Sequence, residues 1–229
     1  MAQHELEVDV PVDHHEVAAT LSIPDHAQAI VVFAHGSGSS RFSPRNRFVA
    51  DVLRDAGLAT LRVDLLTVEE ERIDSVTNRY RFDVPLLASR LKAATDWVET
   101  TDPLRSMRIG YFGASTGAAA ALIAAAHRAS SIAAIVCRGG RPDLASVALP
   151  HVTAPTLFIV GEEDHPVVER NHEALERLGS SHKELRLVAG ASHLFEEAGT
   201  LQEVAQMSAA WFGEFLRPDL RAEAPTAAW

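Results

Sequence analysis

One cysteine, Cys137, is all the chain contains, so no internal disulfide framework holds it, and a reducing, cytoplasmic setting is expected. Positive charge is also scarce: 21 Lys and Arg against 31 Asp and Glu give a net charge of −10. Phosphate backbones are bound by clustered cations, so a nucleic-acid partner is excluded. Long apolar runs are missing as well. The longest, GAAAALIAAAH from Gly117 to His127, is Ala-rich and too short for a bilayer, and it reads as a helix packed closely on a sheet. No membrane partner is expected. The first residues, MAQHELEVDVPVDHHEV, show no basic stretch followed by an apolar one, so no secretory signal is expected either.

What is present is a chain of 229 residues, 47% hydrophobic, long enough to bury a sizeable core. ELEVDVPV and EVAATLSI both alternate across the turn PVDHH, an opening antiparallel hairpin. AIVVFA follows, a continuous β-branched run suited to a strand buried on both faces. From there strands and helices alternate: LATLRVDLL, SMRIGYF, IAAIVC, APTLFIVG and KELRLVAG are strands, and amphipathic or Ala-rich stretches stand between them. Repeated strand–helix units imply an α/β fold with a mostly parallel, doubly wound sheet and helices on both faces. The segment TVEEERIDSVTNRYRFD, Thr67 to Asp83, is polar and without clear periodicity, so it reads as a surface excursion too short to be a cap domain. No repeat or composition break divides the chain, which gives one domain over residues 1–217 and a loosely held tail over 218–229.

Two glycine-bearing corners follow strands, and each could cradle a phosphate or mount a nucleophile. In the first, HGSGSS, Gly36 and Gly38 begin a dinucleotide fingerprint and Asp64 ends the next strand. The third glycine position holds Arg41, however, and neither corner carries the Gly-Lys-Ser/Thr of a P-loop. The second corner, Gly113-Ala114-Ser115-Thr116-Gly117, matches the elbow pattern G-x-S-x-G between a strand and an Ala-rich helix.

A serine hydroxyl needs a base, and the base needs an orienting acid. The elbow order predicts an acid after a later strand and a histidine after the last one. Asp164 follows LFIVG, and His193 follows the next strand, so Ser115, Asp164 and His193 are the expected catalytic residues. Glu162 and Glu163 share the acid's loop and stay open as substitutes. The oxyanion hole is expected from the backbone N–H groups of Thr116 and Ser37, with Gly38 as the neighbouring possibility. His35 reads as structural, bonding loop backbone. His14, His15, His26, His127, His151, His165, His172 and His182 read as surface or packing residues. Asp13-His14-His15 has ligand chemistry but no spaced partner, so no metal is expected.

The stretches FAHGSGSS, GYFGASTGAAAAL, IVGEEDHPV and GASHLF resemble the α/β-hydrolase fold, and within it the dienelactone-hydrolase-like family, over nearly the whole chain. The resemblance implies an eight-stranded sheet whose second strand is antiparallel, and cofactor-free hydrolysis of an ester, lactone or related acyl compound. Dienelactone hydrolase itself uses cysteine at the elbow, where this chain has Ser115. Cys137 ends the following strand and reads as a small buried hydrophobe. Some members are similar to domains fused to phosphoribosyltransferases.

The expected partner is a small-molecule acyl substrate, and a homodimer stays open. Arg41, Arg45, Arg79, Arg81, Arg138 and Arg141 lie in loops that would frame the site. Arg138, Gly38 and Phe195 are the candidates for substrate binding. Arg138 could read a carboxylate, although an ion pair with Asp64 or one of Glu69 to Glu71 is the preferred reading. Tyr80 and Phe82 could close over the site, and Phe195 reads as a pocket wall or core residue. Two other classes stay open: a receptor or interaction scaffold without turnover, and an acyltransferase, thioesterase or perhydrolase using the same residues.

Overall fold

The computed structural model describes residues 5–217, so the tail expected over 218–229 lies outside the described residues. Eight strands form one sheet: β1 (Glu5–Val12), β2 (His15–Ser22), β3 (Ala29–Ala34), β4 (Ala59–Val63), β5 (Arg108–Ala114), β6 (Ile132–Arg138), β7 (Thr156–Gly161) and β8 (Lys183–Val188). Their order across the sheet is β1-β2-β4-β3-β5-β6-β7-β8. β2 runs antiparallel to both its neighbours, and every pairing from β4 to β8 is parallel. The mostly parallel α/β sheet of the resemblance is therefore the fold of the chain.

Among the described residues, five α-helices stand between strands, α1 (Pro44–Asp55), α2 (Val68–Thr77), α3 (Val84–Thr100), α4 (Thr116–His127) and α5 (His165–Arg177), and α6 (Thr200–Phe215) follows β8. Alternate residues of each central strand enter opposite cores, as the pleat requires. On one face Val32, Ala34 and Tyr111 pack with Leu87, Leu91 and the alanines of α4. On the other, Val31, Phe33 and Phe112 pack with Val49 and Leu53 of α1 and Phe212 of α6. All six residues of β3 are buried, which is why its run is apolar without alternation.

The excursion after β4 departs from its sequence reading in one respect, the helix α2, and it stays too short for a cap domain. Thr67 caps the helix in a reciprocal box: its side chain accepts from Glu70 N–H, and the Glu70 carboxylate accepts from Thr67 N–H at 2.8 Å. Val68 and Val76 are exposed, and only Asp74 is buried. The Asp74 carboxylate accepts from Tyr80 N–H at 2.6 Å and Arg81 N–H at 2.9 Å, and it pairs with Arg81 Nε at 2.6 Å. A helix held by a polar anchor needs no apolar stripe, which explains the missing period.

Candidate active site

The C-terminal ends of β3, β5, β7 and β8 converge on one edge of the sheet, where open parallel sheets offer a crevice for ligands. Ser115 sits between β5 and α4 with φ 52° and ψ −118°, a backbone shape that non-glycine residues rarely adopt. Its surroundings hold it there. Ser115 N–H donates to Arg138 O at 3.1 Å, and Ser115 O accepts from Arg141 N–H and Ala118 N–H, both at 3.1 Å. The flanking glycines are required by contact. A Cβ at Gly117 would stand 2.2 Å from Ala34 O, and one at Gly113 would stand 2.5 Å from Ala118 Cα.

Asp164 and His193 leave the loops after β7 and β8, and His193 Nδ1 donates to Asp164 Oδ2 at 2.6 Å. With the Nδ1 proton engaged, the neutral imidazole keeps Nε2 free as an acceptor. Glu162 turns elsewhere, accepting from Gly190 N–H at 3.1 Å. His193 and Ser115 line a common cleft of about 250 Å³, walled further by Gly36, Ser37, Ser39, Ser43, Arg45, Asn46, Arg138 and Leu194. A larger hollow of about 470 Å³ lies beside the end of α4, between Ile123, Leu144 and Val147, and contains none of Ser115, Asp164 or His193. Ser115 and His193 belong to the smaller cleft.

Thr116 is the first residue of α4, so its N–H has no carbonyl a turn below it and points out of the helix end. Ser37 reaches the same cleft from the loop after β3. Gly38 does not line this cleft. Its φ is +67°, and a Cβ there would meet Arg81 Nη1 at 3.2 Å, so it faces the excursion instead of substrate. Phe195 is also absent from the cleft wall: it is 2% exposed and packs in the core with Val188 and Phe212. Both substrate-binding candidates are corrected accordingly, and Tyr80 and Phe82 do not line the cleft either.

The ion pair preferred for Arg138 is absent. Asp64 is taken by Arg41, whose backbone N–H donates to it at 2.7 Å and whose guanidinium also pairs with it. Glu69 pairs with Arg72 and Glu70 with Arg90, each at 2.8 Å. Arg138 is left buried, with Nη1 unpartnered and the guanidinium 5.9 Å above the Phe195 ring. Burial, and then the like charge of Arg45, lower its pKa to about 10. The other framing arginines are engaged elsewhere: Arg81 on Asp74, Arg141 on Asp143 and Arg79 over Tyr80. Arg45 alone joins Arg138 in the cleft, with a long 3.4 Å contact to Glu196.

Ser43 and Asn46 were not singled out in the sequence, although both wall the cleft. Ser43 is the N-cap of α1, with Pro44 after it, so a Ser-Pro start just beyond the glycine loop was the available signal. Cys137 is fully buried on β6, and burial pushes its thiol pKa up. Among the described residues no group of three His, Cys, Asp or Glu converges as metal ligands. Nor is any helix among them long and apolar enough to cross a membrane.

A parallel sheet flanked by helices, with a serine elbow and an Asp–His pair at its strand ends, is an α/β hydrolase. The family model described as the dienelactone hydrolase family matches residues 17–215, so the chain belongs to the dienelactone hydrolase family. It is similar to the crystal structure of dienelactone hydrolase from Anabaena variabilis, at 56% identity and a TM-score of 0.92 over 94% of this chain and 99% of that one. An esterase from Pyrococcus furiosus shares the fold at 18% identity and a TM-score of 0.77, covering 94% of this chain and 92% of its own. A Mycobacterium tuberculosis protein with the curated name "Putative phosphoribosyl transferase" is 52% identical over 211 residues. That match takes 92% of this chain and 46% of the relative, so the chain spans about half the relative's length.

Proposed function

We propose that this chain is a serine hydrolase that cleaves a carboxylic ester, lactone or related small acyl compound. The observation that carries the proposal is the 2.6 Å contact of His193 Nδ1 with Asp164, in a histidine that shares one cleft with the strained Ser115. His193 Nε2 takes the Ser115 proton as Oγ attacks the carbonyl carbon, and Asp164 stabilises the imidazolium that forms. The N–H groups of Thr116 and Ser37 hold the oxyanion, aided by the positive end of α4. Collapse expels the alcohol with the proton returned by His193, and water repeats the sequence on the acyl-enzyme.

This route needs no cofactor and no metal. Arg138, buried with a free Nη1 in the cleft wall, is proposed to receive a carboxylate of the substrate. The reading treats residues 1–217 as one catalytic domain and assigns it to the cytoplasm, in keeping with a single buried thiol.

The test is intact-protein mass after treatment with a fluorophosphonate, alongside turnover of p-nitrophenyl acetate by the wild type and by Ser115→Ala. One adduct and measurable turnover, both lost in the variant, are expected. Folded wild type that takes no adduct and turns nothing over would remove the proposal.

A further inference from the structure

The loop between β3 and α1 begins with a buried histidine, His35, that the mechanism above does not use. His35 Nε2 lies 3.1 Å from the backbone N of Leu65, two residues beyond β4. A backbone N–H can only donate, so Nε2 is the acceptor and carries no proton. Nδ1 therefore bears the ring proton, and it lies 2.9 Å from Gly36 O, which can only accept. Both partners are backbone, and together they specify one neutral tautomer without appeal to any titrating neighbour.

The consequence falls on the next peptide. The Gly36–Ser37 bond is trans, so its C=O and N–H point to opposite sides of the chain. β3 lies between β4 and β5 in the sheet. The imidazole, tied to Leu65 just beyond β4, holds Gly36 O through Nδ1, and Ser39 N–H donates to the same oxygen at 3.2 Å. The Ser37 N–H, on the other side of that peptide, faces away from the imidazole, and Ser37 shares its cleft with Ser115. Contact distances agree: a Cβ at Gly36 would lie 3.1 Å from Ser115 Cβ and 3.8 Å from Ser115 Oγ. A side chain at Gly36 would press on Ser115 and on Ala114 O.

We infer that His35 is the positioning residue of the oxyanion hole, aiming the Ser37 N–H at the Ser115 oxyanion through its hydrogen bond to Gly36 O. The inference rests on the serine-hydrolase reading given above. It deepens that reading by separating two roles that one imidazole combines. The bond through Nε2 ties the loop to the end of β4, and the bond through Nδ1 orients the peptide that meets the transition state.

Three substitutions distinguish these roles. In His35→Asn the amide nitrogen replaces Nδ1 and can still donate to Gly36 O, while the tie to Leu65 is lost. In His35→Gln the amide oxygen replaces Nε2 and can still accept from Leu65 N–H, while the orienting bond is lost. His35→Phe loses both. The readouts are kcat and KM for p-nitrophenyl acetate and the inhibition constant of a trifluoromethyl ketone, whose hemiketal adduct places an oxyanion in the hole.

For His35→Phe and His35→Gln, kcat is expected to fall by about 10²-fold with KM within about twofold, the size of losing one oxyanion donor. Ketone affinity should fall in parallel with kcat/KM, as for any group acting on the transition state. His35→Asn should stay within about tenfold of wild type. The inference is overturned if His35→Phe keeps wild-type kcat, if His35→Asn is no better than His35→Phe, or if His35→Gln is the variant that rescues. Those outcomes leave the serine-hydrolase reading standing as long as wild type turns over the ester and Ser115→Ala does not. A wild type neither labelled nor active removes both.

Discussion

Asp164 Oδ2 and His193 Nδ1 meet at 2.6 Å across 29 residues of chain, because β7 and β8 are parallel neighbours that end side by side. Each residue needs only the short loop after its own strand to reach the other. In the proposed mechanism, replacing Asp164 by Asn removes the charge that stabilises the imidazolium and can put a donor where Nδ1–H needs an acceptor. Turnover of p-nitrophenyl acetate by Asp164→Asn should therefore drop by about 10³- to 10⁴-fold. Glu162→Gln and Glu163→Gln should stay within a few-fold of wild type, since Glu162 is occupied with Gly190 N–H. If either Gln variant loses more activity than Asp164→Asn, the acid is misassigned.

Arg138 gives the substrate prediction. An unpartnered buried guanidinium nitrogen costs free energy, and a carboxylate in the cleft would repay that through a charge-assisted bond. For Arg138→Gln, kcat/KM on p-nitrophenyl hemisuccinate should fall roughly ten- to hundredfold, the value of a hydrogen bond to a charged group. For the uncharged p-nitrophenyl acetate the change should be small. Equal losses on both esters would mean that Arg138 supports the fold of the loop after β6 and does not read charge.

Much of this arrangement was legible in the chain because it is written in local chemistry. β3 and β6 are apolar runs because both faces are covered, and G-x-S-x-G is demanded by Ala34 O and Ala118 Cα pressing on the elbow. The grouping of His193 with Asp164 and with Ser115 was legible through order and strand-end position. What was not legible depends on which polar groups find each other across the fold. Asp64 could pair with either Arg41 or Arg138 as far as spacing tells, and only the sheet order brings Arg41 to it. α2 went unread because Asp74 binding Tyr80 and Arg81 replaces an apolar stripe, although Thr67-x-x-Glu70 was a capping signal in plain view. For Phe195 the sequence left pocket wall and core both open, and the structure, with a φ of 55° at that residue, puts it in the core.

Cys137 should be inert in the native protein. The thiol is fully buried at the end of β6, and burial pushes its pKa up, so the reactive thiolate is absent at neutral pH. Native protein should leave Ellman's reagent unreacted, and denatured protein should release one equivalent of chromophore per chain. Cys137→Ala should keep wild-type kcat while losing about 1 kcal/mol of stability to the small cavity it leaves. A large fall in kcat with the fold intact would make the thiol part of the reaction.

The buried His35 predicts how stability responds to acid. Desolvation lowers its pKa from 6.5, against the raising influence of its bond to Gly36 O and of the Asp64 and Glu71 charges. Glu16 and Arg41 line the hollow on one side of it, and Arg81 lines the small cavity on the other. The folded state thus prefers neutral imidazole, whereas the unfolded chain takes up a proton near pH 6.5. The stability due to this preference is complete above that pH and is lost as pH falls through the lower folded pKa. A protonated ring would also set Nε2–H against Leu65 N–H, two donors with no acceptor between them. Between pH 7.5 and 5, denaturant unfolding should show wild type losing more stability than His35→Asn, which keeps the carboxylates and lacks the titrating ring. Parallel stability curves would mean that His35 gains or loses its proton without consequence for the loop it holds.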